Sequence, residues 1–170
     1  MKNLTKTSSS TVQTIVSTAI IAAMYVAVTM IIQPIAYGPV QVRISEMFNY
    51  LVLFKKRYIW GVTLGVFLSN FMSPTWALDV PIGTISTLLL LLFILWIVKY
   101  VKSLKVKFVI MGVLFALSMF TVAGELYLAF KTPFWINYAS IAIGEGLSMA
   151  IGGIIMYVVN KRLDIANMRM

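Results

Sequence analysis

The sequence predicts an all-α integral membrane protein, a bundle of six transmembrane helices. Three observations predict it. Apolar residues make up 61% of the 170 positions and charged ones only 11%, whereas soluble domains hold roughly 45–50% and about 25%. The apolar residues gather into long runs broken by short polar stretches, the pattern of polytopic membrane helices. The basic residues stand at the ends of these runs, which accounts for the formal charge of +9 without a nucleic-acid partner.

The six segments fall at about residues 12–33, 44–54, 58–72, 81–98, 108–130 and 137–160. The breaks between them read PIAYGPVQVR, KKR, SPTWALDV, KYVKSLKVK and KTPFWI. With no internal repeat and no low-complexity linker, residues 1–170 form a single membrane domain. The polar segment 1–11 precedes the first helix, and 161–170 forms a tail. The first apolar run exceeds a signal-peptide core of about 7–15 residues, so it reads as a retained helix.

Six crossings put both termini on one side. On that side lie Lys2, Lys6, Lys55, Lys56, Arg57, Lys99, Lys102, Lys105, Lys107, Lys161, Arg162 and Arg169. These are twelve of the fourteen basic residues; only Arg43 and Lys131 fall opposite. The positive-inside rule then makes the termini cytoplasmic and the location the cell membrane. The acids show the reverse bias. Glu46, Asp79, Glu125 and Glu145 map to the outer half, and only Asp164 is cytoplasmic. A charge at membrane depth costs roughly 2.5–3.5 kcal/mol unless it is paired or faces a cavity. Four such acids predict a polar cavity open to the outside.

The second and third helices are short. Segment 44–54 spans about 16 Å at 1.5 Å per residue, against a hydrocarbon core of about 30 Å. Non-helical backbone must supply the rest, which is tolerated only inside protein or along a water-filled cavity. GPVQVR is therefore expected to dip into the outer mouth as a loop, facing SPTWALDVP across it.

Each candidate residue has a plain structural reading beside the functional one. Ala19, Ala23 and Ala27 repeat every four residues, a flat stripe suited either to packing inside the bundle or to docking a partner helix. Arg43 and Glu46 lie one turn apart and could neutralise each other, or face a ligand with Gln41, which offers both a donor and an acceptor. Asn70 could cap its helix or pair with a ligand amide. Asp79, two residues before Pro81, suits an N-cap as well as a ligand contact. Glu125 and Glu145 lie within apolar helices, where ionisable residues are functional by default; the structural alternatives are pairs with Lys131 and Arg43. Asn137, Gly144, Glu145 and Ser148 share a helical arc of about 100°. Trp76, Trp135 and Tyr138 suit an interfacial belt or stacking on a flat ligand.

Cysteine and histidine are both absent, which removes thiolate and imidazole metal sites; no metal is expected. No phosphate-binding loop, HExxH or GxSxG motif occurs, so neither ATP hydrolysis by that route nor hydrolytic catalysis is expected. The paired interrupted helices of inverted-repeat carriers are also missing.

QVRISEMF, LSNFMSP and ALDVPIGTISTLL together resemble the QueT family, substrate-binding S components of energy-coupling-factor (ECF) transporters assigned to queuosine precursors. The similarity runs over roughly residues 15–95, and the helix layout covers the whole chain. The resemblance implies a six-helix S component whose outward-facing ligand pocket is roofed by the outer-face loop after helix one, and an assembly with a transmembrane coupling subunit and two cytoplasmic ATPases. The chain itself would need no cofactor, since the partners use the ATP. It also implies docking of the coupling subunit on Ala19, Ala23 and Ala27. The implied ligand is a 7-deazaguanine with an amine arm, or queuine. Its contacts are expected among Gln41, Arg43, Glu46, Asn70, Asp79, Glu125, Asn137 and Glu145. The alternatives are an S component for another vitamin-like molecule, a stand-alone proton-coupled carrier or channel, and a membrane-assembly factor without a ligand.

Overall fold

A computed structural model describes the backbone of residues 2–165, with side chains from Thr11 onward. The side chains of Lys2 and Lys6, and Arg169 entirely, lie outside the described residues. Among the described residues helix accounts for 84%, with no strand. The fold is therefore all-α. Its elements are α1 (Lys2–Ile31), α2 (Gln33–Ala36), α3 (Ile44–Phe54), α4 (Ile59–Asn70), α5 (Trp76–Val98), α6 (Leu104–Phe130) and α7 (Phe134–Leu163).

That makes seven helices among the described residues where six segments were expected, because the single turn α2 follows α1 before the loop. By length and hydropathy, four stretches can cross a membrane: Thr11–Ile31, Trp76–Val98, Leu104–Phe130 and Phe134–Leu163. The helix α4 has 12 residues, about 18 Å of rise, and α3 is shorter still. The first seven residues of α3, Ile44–Tyr50, wind as tighter 3₁₀ turns, an unusually long run for that geometry.

One boundary differs instructively. The helix expected to begin at Pro81 begins at Trp76, with Thr75 as its N-cap. Asp79 is thus an interior helical residue and caps nothing. A proline inside a helix lacks its N–H and crowds the preceding turn. Here the turn widens into π geometry over Asp79–Gly83, which absorbs Pro81 without ending the helix.

Small residues set the helix contacts. Along α1 and α4, a β-carbon on Gly65 would stand 2.6 Å from the Tyr25 Cβ, and one on Gly61 2.8 Å from the Ile21 Cβ. Only glycine allows this approach. The core beneath it gathers Tyr58, Leu91, Ile94, Met111 and Met149, all essentially inaccessible. Within α6 the chain loosens at Met119, where its N–H reaches only the Ala116 carbonyl (3.3 Å). Ser118 and Thr121 flank that turn and donate back to the carbonyls of Phe115 (2.7 Å) and Ser118 (2.9 Å). Such back-bonding bends helices.

Candidate functional site

The segment between α2 and α3 enters the bundle. Its Val40 carbonyl presses on Gly144 so closely that any β-carbon there would collide. The Arg43 N–H donates to the Ser148 hydroxyl (2.8 Å), which itself donates to the Gly144 carbonyl (2.8 Å). Gly144 stands ten residues beyond the start of α7, about 15 Å along the helix. The loop therefore reaches mid-depth. Gln41 turns it through a left-handed conformation (φ 52°), which is costly for a non-glycine residue and is held by its surroundings.

Arg43 braces this loop. Its Nε donates to the Ala36 carbonyl (3.3 Å), its Nη2 to the Gln41 Oε1 (3.0 Å), and its guanidinium lies over the Tyr37 ring at 5.3 Å. Tyr37 in turn donates to the Ser69 carbonyl (2.6 Å). Glu46 is engaged elsewhere. Its Oε1 accepts from the Tyr25 hydroxyl (2.6 Å) and its Oε2 from the Asn49 amide. The ion pair considered for Arg43 and Glu46 is thus not formed; each has other partners. Tyr25 reaches Glu46 because Gly65 lets α4 lie flat against it.

A second polar cluster joins α4 to α5. Asn70 donates its amide to the Asp79 carbonyl (2.7 Å). The Asp79 Oδ2 accepts from the hydroxyls of Ser73 and Thr75, the latter at 2.6 Å. Glu125 lies beside Asp79. It is 3% exposed, and no hydroxyl, amide or cationic donor reaches it; its carboxyl pairs with that of Asp79, an arrangement that needs one shared proton. The Oε1 of Glu145, 2% exposed, has no hydrogen-bond partner. Pairing with Lys131 or Arg43 does not occur; the Lys131 ammonium lies 5.6 Å from the Tyr127 ring instead. Buried polar groups are nearly always satisfied, so each exception calls for an explanation.

Arg43, Glu46 and Asn70 meet at one cavity, with Gly83, Ser86 and Thr87 of α5 and Ser118 and Thr121 of α6. Its volume is about 30 Å³, the room of a single water in the liquid. Asp79 and Glu125 stand next to this cavity without lining it. Asn137 is apart. It sits two helical turns from Glu145, donating to the Thr132 hydroxyl at 2.6 Å. Trp76 and Trp135 are 54% and 76% exposed, as an interfacial belt requires. Sequence reasoning missed the four cavity hydroxyls; Ser86 and Thr87, just ahead of a run of leucines, were the available signal.

Mid-depth loop, buried acids and crossing helices together describe a membrane protein with a polar interior. Comparison with known proteins decides its family. A profile of QueT transporters matches residues 15–161. The chain belongs to the QueT transporter family. A curated relative from Lactococcus lactis subsp. cremoris (strain MG1363), named queuosine precursor transporter QueT, is 40% identical over 161 residues. The match covers 89% of this chain and 95% of the relative. No solved structure matches. This QueT family member is a multi-pass membrane transport protein for a small-molecule substrate.

Proposed function

We propose that this chain is the substrate-binding S component of an ATP-driven ECF-type uptake transporter, taking up a queuosine precursor from outside the cell. The observation that carries the reading is the set of buried acids beside a cavity lined by Arg43, Glu46 and Asn70: Glu125, which meets only the Asp79 carboxyl, and Glu145, whose Oε1 has no partner. A 7-deazaguanine edge presents an N–H and an amino group side by side, and a carboxylate can accept both. The cationic arm of such a ligand asks for a second carboxylate. The ligand carbonyl asks for a donor, for which Gln41, Arg43 and Asn70 are candidates.

Small-molecule pockets measure about 300–1,000 Å³, far above the present 30 Å³. Binding then requires the surrounding elements to part. The loop 37–43, as the pocket's roof, and the loosened turn of α6 at Met119 are the candidates. In this reading the chain crosses the cell membrane six times, with α3 and α4 completed by the loop and by residues 71–75. Both termini are cytoplasmic.

Ala19, Ala23 and Ala27 are all exposed on α1, while Ala22 is buried. This supports docking of a coupling subunit on the stripe over packing within the bundle. Two cytoplasmic ATPases would supply the energy. Uptake of radiolabelled queuine by cells expressing the chain alone, and with the coupling and ATPase subunits, tests the proposal. Accumulation is expected only with the full set. Uptake by the chain alone would establish a stand-alone carrier instead.

A further inference from the structure

Away from the polar site, α6 and α7 part to leave an apolar groove of about 500 Å³. On the α6 side it runs from Lys105 through Val109 and Gly112 to Ala116; on the α7 side from Tyr157 through Gly153 and Ala150 to Gly146. Both series step by three or four residues, one face of each helix. The groove exists because its walls are small. A β-carbon on Gly146 would meet nothing nearer than the Ala116 Cβ at 3.9 Å.

Its length and charge select the occupant. From Lys105 to Ala116, and from Gly146 to Tyr157, is eleven residue steps, which makes the groove about 16 Å long. A file of methylenes, about 4 Å thick from carbon–carbon contact distances, fits along it. The length also matches one leaflet, half of a core about 30 Å thick. At one end the groove meets Lys105, and Lys161, exposed, follows Tyr157 by one turn on the same face. Phe108, stacked on Tyr50 with centroids 4.3 Å apart, lines the floor near that end.

We propose that the α6–α7 groove is a specific site for an anionic phospholipid, one acyl chain lying along Gly112, Gly146 and Gly153 and the phosphate held by Lys105 and Lys161. Headgroup selectivity comes from the lysines, and occupancy from the small-residue walls. Each lysine near the headgroup layer contributes about a five-fold preference for the anion.

Native mass spectrometry of the full chain tests this, with phosphatidylglycerol and phosphatidylcholine of equal chain length as probes. Wild type should retain phosphatidylglycerol preferentially. The surface variant Lys105→Gln/Lys161→Gln should lose that preference while retaining lipid. Gly146→Leu, which fills the groove without touching the core, should lose both lipids. Equal retention of the two lipids by wild type, or a preference surviving in the double variant, would overturn the proposal. So would full lipid retention in Gly146→Leu together with loss of a co-purifying membrane subunit, which would mark the groove as a protein seat.

Discussion

Glu46 and Glu125 are buried to nearly the same degree (5% and 3% exposed) yet stand in opposite situations. Glu46 accepts from Tyr25 and Asn49; Glu125 faces another acid, Asp79. Glu46→Gln turns one acceptor into a donor facing a donor. It should cost about 1.5–3 kcal/mol of stability, seen as a lower melting temperature of the purified chain. Glu125→Gln keeps a donor toward the Asp79 carboxylate without needing a shared proton, so its melting temperature should equal or exceed wild type. Equal losses in both would show that Glu125 is structural. The acids were legible in the sequence because a charge inside an apolar helix stands out. Their division into engaged and unengaged was not, since it depends on tertiary neighbours such as Tyr25, 21 residues away. The hydroxyls of Ser118 and Thr121 escaped notice because such groups bond within their own helix. The N-cap reading of Asp79 fails because the π turn keeps the helix going through Pro81.

Among the elements, the loop between α2 and α3 is the most constrained. The Gly144→Ala substitution would set a methyl against the Val40 carbonyl. Overpacking costs about 1–3 kcal/mol, and relief requires the loop to lift. Faster proteolysis or hydrogen exchange confined to residues 37–43 is the expected sign; an unchanged protection pattern would mean that α7 itself yields. The inward loop was legible from the shortness of segment 44–54. Its anchoring on Ser148 was not, because the contact spans 105 positions. On α1, the exposed alanines predict that Ala23→Leu leaves the isolated chain's melting temperature unchanged but reduces co-purification with the coupling subunit, because added bulk blocks close helix approach. Unaltered co-purification would place docking elsewhere. Spacing alone left this stripe ambiguous; burial distinguishes it from Ala22.

At the scale of the whole molecule, the proposed orientation rests on the twelve-to-two division of basic residues. Single cysteines placed in this cysteine-free chain should react with an impermeant reagent on intact cells at position 76 and not at 102. The reverse pattern would invert the protein. Composition made the all-helical membrane class legible, and run lengths made the short α3 and α4 legible. What remained hidden was how far the elements close on one another, a property of packing rather than pattern. The account's central claim is that the buried carboxyls of Glu125 and Glu145 bind a queuosine precursor. Isothermal titration of the purified chain with 7-aminomethyl-7-deazaguanine tests it most directly. Wild type should bind, and Glu125→Gln and Glu145→Gln, both folded, should each bind about 10- to 150-fold more weakly, the equivalent of one charge-assisted hydrogen bond of about 1.5–3 kcal/mol. Wild-type affinity in both variants, or no binding by wild type, would contradict the account.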